Sequence, residues 1–480
     1  MYGEQLALHT DKYQINMMYA HWKNDSHRKK SVFEVYFRKL PFGNGYAVFA
    51  GLERIVRYIY NLKFSPEEIA FLREQEENYD EAFLEELSRF RFTGTIRSVQ
   101  EGTIVFPNEP LVQVKADVFE AHLIETAILN FMNYQTLIAT KAARIRQVAP
   151  HDVLLEFGTR RAQEADAAIW GARAAYLAGF DGTSNVRAGM MFQIPAKGTH
   201  AHAWVQDHPT EKEAFVNFAK ALPDNVVLLV DTYDTLNSGV PNAIEIAKEL
   251  KQQGKSLKGI RLDSGDLAYL SIQARKMLDE AGFQDVKIMA SSDLDEHVIF
   301  NLKAQQARID SWGVGTQLIT ASDNPSLGGV YKIVAKEEDD ELVPTIKISS
   351  NPEKITTPGY KDLYRIINRK TGKSEADYIA MHDEEVQGQP SLKLFDPVHT
   401  YLHKFVQNFD AIPLLNTIFE NGKQVYELPS LQEIRKYHQE QLGLFWDQYL
   451  RILNPHKYVV DISQKVWDTK MDLIHRFSKK

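Results

Sequence analysis

Apolar and polar positions along this chain change rhythm twice. From residue 11 to about residue 88 the pattern is helical with one strand inserted. Residues 11–22 (DKYQINMMYAHW) predict a short helix, and residues 32–38 (VFEVYFR) alternate as a half-buried strand does. Residues 41–46 read as a turn, because glycine and asparagine tolerate positive φ. Helices are expected over 51–62, 66–73 and 79–88, then short strands over 94–96, 102–106 and 111–114, interrupted by Pro107 and Pro110. Leu123, Ile124, Ala127, Ile128, Phe131 and Met132 then form a stripe at 3.6-residue spacing, which predicts a long helix over 120–148.

From Asp152 onward short apolar runs alternate with helical stretches. Residues 153–155 end in Glu156-Phe157-Gly158-Thr159-Arg160-Arg161, with an alanine-rich helix expected over 162–178. Residues 226–230 (VVLLV) suit a strand buried on both faces; its tip is Asp231-Thr232-Tyr233-Asp234-Thr235, and a helix follows over 241–253. Residues 259–266 (GIRLDSGD) and 286–293 (VKIMASSD) repeat the scheme with helices over 267–281 and 294–304, and residues 310–316 (DSWGVGT) close it. One polar cluster follows each strand, at about 25–30 residues per unit, the length of a βα step. The layout predicts an α/β protein built on a (β/α) barrel with its site at the C-terminal strand ends. A doubly wound sheet is the rival, but there chemistry would flank one switch point only.

Beyond the barrel, a hairpin is expected around the acidic turn 336–340, a like-charge run that reads as solvated surface. Residues 351–429 mix short strands with Pro and Gly turns, and 431–452 and 462–477 read as peripheral helices. The expected division is an N-terminal α/β domain over 1–125, the barrel over 126–350 and a C-terminal region of strands and helices over 351–480 packing on both.

Composition narrows the function. A chain of 480 residues is too long for one core, and 44% hydrophobic with 25% charged residues is a soluble globular balance. A net charge of −8 argues against a bulk-electrostatic nucleic-acid binder. The absence of cysteine excludes thiolate metal sites, disulfides and thiol catalysis. The N-terminus lacks a basic region followed by an apolar core, and no run approaches the ~18 apolar residues of a membrane span. A cytoplasmic protein without membrane association is expected.

Several tips can carry chemistry, and each has a plainer reading. Gly313-Val314-Gly315-Thr316 can aim backbone amides and a hydroxyl at a phosphate, or be an ordinary turn. Asp263 and Asp266 can hold ribose hydroxyls or magnesium, or Ser264 or Asp266 can cap the next helix. Arg160, Arg161 and Arg261 at strand ends call for an anionic partner. His200 and His202 would share one face of a strand, the spacing of a metal pair, although no further histidine occurs at the later tips.

The runs EFGTRRAQEADAAIWGARAAYLAGFDGTSN, GTHAHAW, RLDSGDL and GVGTQL, with TDKYQINMMYAHW near the start, resemble the nicotinate phosphoribosyltransferases, in consistent order from Thr10 to about Val334. The resemblance implies a type II phosphoribosyltransferase with an irregular barrel, dimeric, with a site shared across the subunit interface. It implies nicotinate, 5-phosphoribosyl 1-diphosphate and ATP as substrates, Mg2+ as cofactor, and a phosphohistidine at His202, the histidine after alanine in GT-x-AH. His200 falls at the variable position. By the same resemblance Phe157 stacks on the pyridine, Tyr13 of the partner subunit covers its other face, and Thr199, Arg160 and Arg161 bind substrate. Asp263 holds the ribose hydroxyls, with Ser292 and Asp293 near phosphate and ribose and Gly315 and Thr316 on the 5-phosphate. Ser184 matches an aspartate of the similar nicotinamide enzymes and would donate to the nicotinate carboxylate beside Arg261; the plainer reading makes it a helix cap. The alternatives carried forward are a nicotinamide or quinolinate transferase, a metal-dependent barrel hydrolase using His200 and His202, and a silent binder of NAD metabolites.

Overall fold

Six parallel strands bear the polar tips: β1 Val153–Glu156, β2 Gly182–Thr183, β3 Val226–Leu229, β4 Leu257–Leu262, β5 Lys287–Ser291 and β6 Ser311–Val314. The structure, a computed structural model, describes residues 6–397 and 399–478. The strand order is β2-β1-β6-β5-β4-β3, so the first and last long strands lie side by side in the middle. Parallel neighbours need crossovers, and the helices Glu164–Leu177, Val240–Gln252, Leu267–Glu280 and Glu296–Ala304 supply them where helical periodicity placed them. Leu154, Leu228, Ile260, Ile288, Trp312 and Val314 share one face of the sheet and are all buried, while Val227, Arg261 and Met289 on the opposite face are half-buried. The architecture is therefore mixed α/β with an all-parallel sheet. As hydrogen-bonded, that sheet is open, with β2 and β3 at its edges.

The polar residues after each strand divide into two jobs. Asp266 accepts from the Tyr269 amide at 3.0 Å and caps Leu267–Glu280, and Asp295 accepts from the Val298 amide at 2.7 Å and caps Glu296–Ala304. These carboxylates offset unpaired amides and the positive end of the helix dipole. Asp263 takes no such part.

The chain forms two units, Met1–Leu137 with Ser326–Lys480, and Ile138–Pro325. The first unit carries a seven-stranded sheet in the order Glu341–Pro344, Gly329–Glu338, Lys30–Phe37, Val112–Asp117, Thr95–Val99, Leu415–Glu420 and Lys423–Gln424, with neighbouring strands antiparallel. The strand Lys30–Phe37 departs from expectation: it is buried on both faces from Ser31 onward. Its polar position, Glu34, is buried against the equally buried Lys361 at 3.0 Å, so the face that alternation assigned to solvent is covered by an ion pair. The hairpin around 336–340 forms as Gly329–Glu338 and Glu341–Pro344. The helix expected over 431–452 breaks into Leu431–Gly443 and Asp447–Leu450. Among the described residues no helix is long and apolar enough to cross a membrane.

Candidate active site

The tips of β4 and β5 build the centre of the site. Arg261, near the end of β4, donates from Nε to Ser291 Oγ at 2.8 Å and from Nη2 to Asp263 Oδ1 at 2.7 Å. Its Nη1 reaches Thr199 Oγ1 at 3.4 Å. The buried Ser291 hydroxyl donates to the same Asp263 oxygen. Burial opposes ionisation of Asp263, but the Ser291 hydroxyl and the Arg261 guanidinium outweigh it and hold the carboxyl below its ordinary range. Arg261 and Asp263 are thus fixed in orientation, and Asp263 Oδ2 faces His202 Nε2 at 3.7 Å.

The two histidines part company. No strand forms around them: residues 197–201 are irregular, and His202 opens the short helix His202–Gln206. The expectation of two imidazoles on one strand face is corrected accordingly. His200 turns inward, its ring 4.8 Å from that of Phe218, and its Nε2 accepts the Leu229 amide at 3.2 Å while Nδ1 lies 3.3 Å from the Ala201 carbonyl. Burial lowers its pKa, which keeps the ring neutral and lets Nε2 act as acceptor. Both nitrogens are occupied, so His200 anchors the backbone and forms no metal pair with its neighbour. His202 stays partly exposed, with Nδ1 held by Thr232 Oγ1 at 3.0 Å and Nε2 turned to the carboxylates.

Asp231, at the tip of β3, was named in the sequence only as a strand-end residue. Its side chain is 2% exposed, and Oδ2 accepts from the Asp263 amide at 2.7 Å and the Ser264 hydroxyl at 2.9 Å. Oδ1 is buried without a hydrogen-bond partner and lies 4.0 Å from His202 Nε2. A buried carboxylate oxygen with no donor is costly, and spacing alone could not separate this aspartate from the capping ones.

At the tips of β1 and β2, Phe157 is half-buried and its ring lies 5.6 Å from the Arg261 guanidinium carbon. Glycine at 313 makes room for it: a Cβ there would sit 2.6 Å from Phe157 Cδ2. The first glycine of Gly-x-Gly-Thr therefore serves the aromatic ring, and Gly315 and Thr316 remain for the turn that opens Thr316–Ile319. Arg160 and Arg161 stand exposed on the turn Thr159–Arg161, and among the described residues neither guanidinium has a protein partner. Ser184 is exposed and caps nothing; the cap of Val186–Phe192 is Asn185, which accepts from the Ala188 amide at 2.9 Å. Ser292 and Asp293 are exposed just past β5, and Ser292 has φ +121°, a conformation strained for a non-glycine residue. Tyr13 lies in the other unit on the helix Lys12–Lys23, half exposed.

An all-parallel α/β unit that gathers a guanidinium, two carboxylates, hydroxyls and an imidazole at the carboxyl ends of its strands is built as α/β enzymes are. A family model described as the nicotinate phosphoribosyltransferase (NAPRTase) family matches residues 153–387, and the N-terminal and C-terminal domain models of NAPRTase match 8–133 and 360–470. The chain is 57% identical over 472 residues to a nicotinate phosphoribosyltransferase of Bacillus subtilis (strain 168), covering 98% of this chain and 96% of that one. The crystal structure of human nicotinic acid phosphoribosyltransferase superposes with a TM-score of 0.87 at 30% identity, over 97% of this chain and 99% of that one. A nicotinate-nucleotide pyrophosphorylase from Pyrococcus furiosus is similar at a TM-score of 0.67 and 26% identity, covering 92% of this chain and 95% of that one. The chain belongs to the nicotinate phosphoribosyltransferase family.

Proposed function

We propose that the chain joins nicotinate to 5-phosphoribosyl 1-diphosphate, forming nicotinate mononucleotide and diphosphate for NAD synthesis in the cytoplasm. The pyridine nitrogen donates its lone pair to the anomeric carbon as the bond to diphosphate breaks and diphosphate leaves with the electron pair. Such a displacement needs placement and charge stabilisation more than a covalent catalyst. The observation that carries the reading is the rigid Arg261–Asp263–Ser291 cluster with His202 against it. Asp263 then holds ribose hydroxyls, and Phe157, ringed by Arg261, receives the pyridine. Ser184 and Arg261 receive its carboxylate. Arg160, Arg161 and Thr199 bind the phosphorylated donor, Ser292 and Asp293 lie by its ribose and phosphate, and Gly315 and Thr316 hold the 5-phosphate. Tyr13 of the partner subunit covers the other face of the ring in a homodimer with a shared site, and the parallel unit is an irregular (β/α) barrel.

ATP would couple through His202. The γ-phosphoryl group passes to Nε2, the nitrogen left open when Thr232 holds Nδ1, releasing ADP; water later removes the phosphoryl group. Magnesium fits the residues present, because Asp231 Oδ1 lacks a partner and Asp263 Oδ2 faces the same imidazole, two hard oxygens of the kind that hold this ion together with substrate phosphates and water. Bound there it would neutralise charge on the departing diphosphate. Mononucleotide formation assayed with nicotinate, nicotinamide and quinolinate in turn tests the reading. Turnover with nicotinate alone is expected, and a preference for either other pyridine overturns it.

A further inference from the structure

Glu156, at the end of β1, is the hub of a hydrogen-bonded ring between two strand tips. Its side chain is fully buried, and among the described residues no lysine, arginine or histidine pairs with it. Oε1 accepts the Gly158 amide and Oε2 accepts the Thr183 hydroxyl at 2.6 Å. Thr183 Oγ1 in turn accepts the Asn185 amide at 3.0 Å, and Asn185 Nδ2 donates to Thr159 Oγ1 at 3.2 Å. Gly158 and Thr159 are chain neighbours, so the ring closes. Phe157 lies just outside it on one side, and Ser184 lies inside the Thr183–Asn185 bend on the other.

A buried carboxylate without a cation is costly, and only hydrogen bonds to both oxygens offset that cost. Burial pushes the Glu156 pKa up, and the Thr183 hydroxyl and Gly158 amide pull it back. A neutral side chain of the same size would fill the space at less cost, but none could accept from both tips. We propose that Glu156 is a positioning residue that locks the 157–159 turn to the 183–185 turn, and so sets the spacing between Phe157 and Ser184 on which nicotinate binding depends. The inference rests on the reading that these two residues receive nicotinate.

Thr183→Val keeps the shape and removes the hydroxyl, taking one donor from Glu156 and one acceptor from Asn185. KM for nicotinate should rise about tenfold, the loss expected for one hydrogen bond to a charged group, while KM for 5-phosphoribosyl 1-diphosphate stays within about twofold. Thr183→Ser should restore parental values. Glu156→Gln, whose amide presents only one acceptor oxygen, should give the same split, and the double variant should add little to either single one. Should Glu156→Gln fail to fold, Thr183→Val carries the same test. Phe157→Ala is measured alongside. If it raises the nicotinate KM while Thr183→Val does not, the positioning role is overturned and the pyridine site stands. If it changes nothing, the pyridine site falls and the positioning role with it. A parallel rise in both KM values, or a lower Tm with unchanged KM values, assigns the ring to folding alone and also overturns the inference.

Discussion

His202 and Ser184 show how much a single side chain's chemistry depends on what surrounds it. His202 has one nitrogen in a hydrogen bond with Thr232 and the other facing Asp231 and Asp263, and in the proposed function this imidazole is the nucleophile towards ATP. His202→Ala should abolish ATP hydrolysis and its stimulation of nucleotide formation, leaving slow uncoupled synthesis. Equal ATP stimulation in variant and parent, measured as product formed with and without ATP, would remove His202 from the coupling. Ser184 is freed from capping by Asn185 and stands exposed. An aspartate at that position would face the nicotinate carboxylate with a repulsion of about 4 kcal/mol at ~4 Å and an effective dielectric near 20. Exposure screens most of that, so Ser184→Asp should cut kcat/KM for nicotinate by about tenfold, about 1.4 kcal/mol, with nicotinamide use unchanged or improved. A variant that keeps its full preference would place selectivity with Arg261 or Arg161.

Strands and helices position the site by where they stop. Asn185, Asp266 and Asp295 cap helices, which takes Asp266 out of the candidates, and β3, β4 and β5 then present Asp231, Asp263 and Ser291. Strand β6 contributes chiefly by absence of a side chain, since Gly313 lies under the Phe157 ring. Gly313→Ala would place a methyl group inside the ring's contact distance, an overpacking that costs about 1–3 kcal/mol unless Phe157 moves. We expect a lower Tm together with a raised nicotinate KM. A parental KM in a well-folded Gly313→Ala protein would mean that β6 does not set the ring's position.

Across the molecule, buried titratable groups set opposing responses to pH. Burial lowers His438 to about 4, and its Nδ1 lies 3.0 Å from the Gly102 carbonyl. As pH falls through about 6.5 towards 4 the unfolded chain takes a proton that the folded one refuses, so this histidine withdraws up to about 3 kcal/mol of stability in that window. Asp461 works the other way. Burial, then Asp396, raises it to about 7, and Oδ1 has no hydrogen-bond partner. Its folded pKa lies above its unfolded value of 3.8, so its penalty is full above pH 7 and fades as pH falls from 7 towards 3.8. Asp461→Asn should therefore raise Tm more at pH 8 than at pH 5, a difference of about 3 kcal/mol. An equal gain at both pH values would show that Asp461 is not held protonated in the fold. The proposed shared site is tested on the whole assembly: mixing Tyr13→Ala and His202→Ala chains, each impaired in ATP-stimulated synthesis, should restore part of that stimulated activity, and no recovery would count against a site completed by the partner.

Much of this was legible in the chain itself. Apolar runs and 3.6-residue stripes placed five of the six parallel strands and the helices between them because both are local patterns; the two-residue strand Gly182–Thr183 carries no apolar run and was not placed. The motif runs carried the family and the candidate residues. What the pattern could not distinguish was which polar tip residue serves the backbone and which faces ligand, since a cap and a site carboxylate have the same composition and spacing. Hydrogen bonding separates the caps, giving Asp266 and Asn185 to the helices, while Asp263 and Ser184 cap none. The same limit applied to Glu34, whose polarity predicted solvent but whose partner Lys361 lies more than 300 residues away in sequence. It also applied to His200 and His202, parted by a backbone that never became a strand. Such outcomes depend on contacts between distant segments, and only the folded chain brings those segments together.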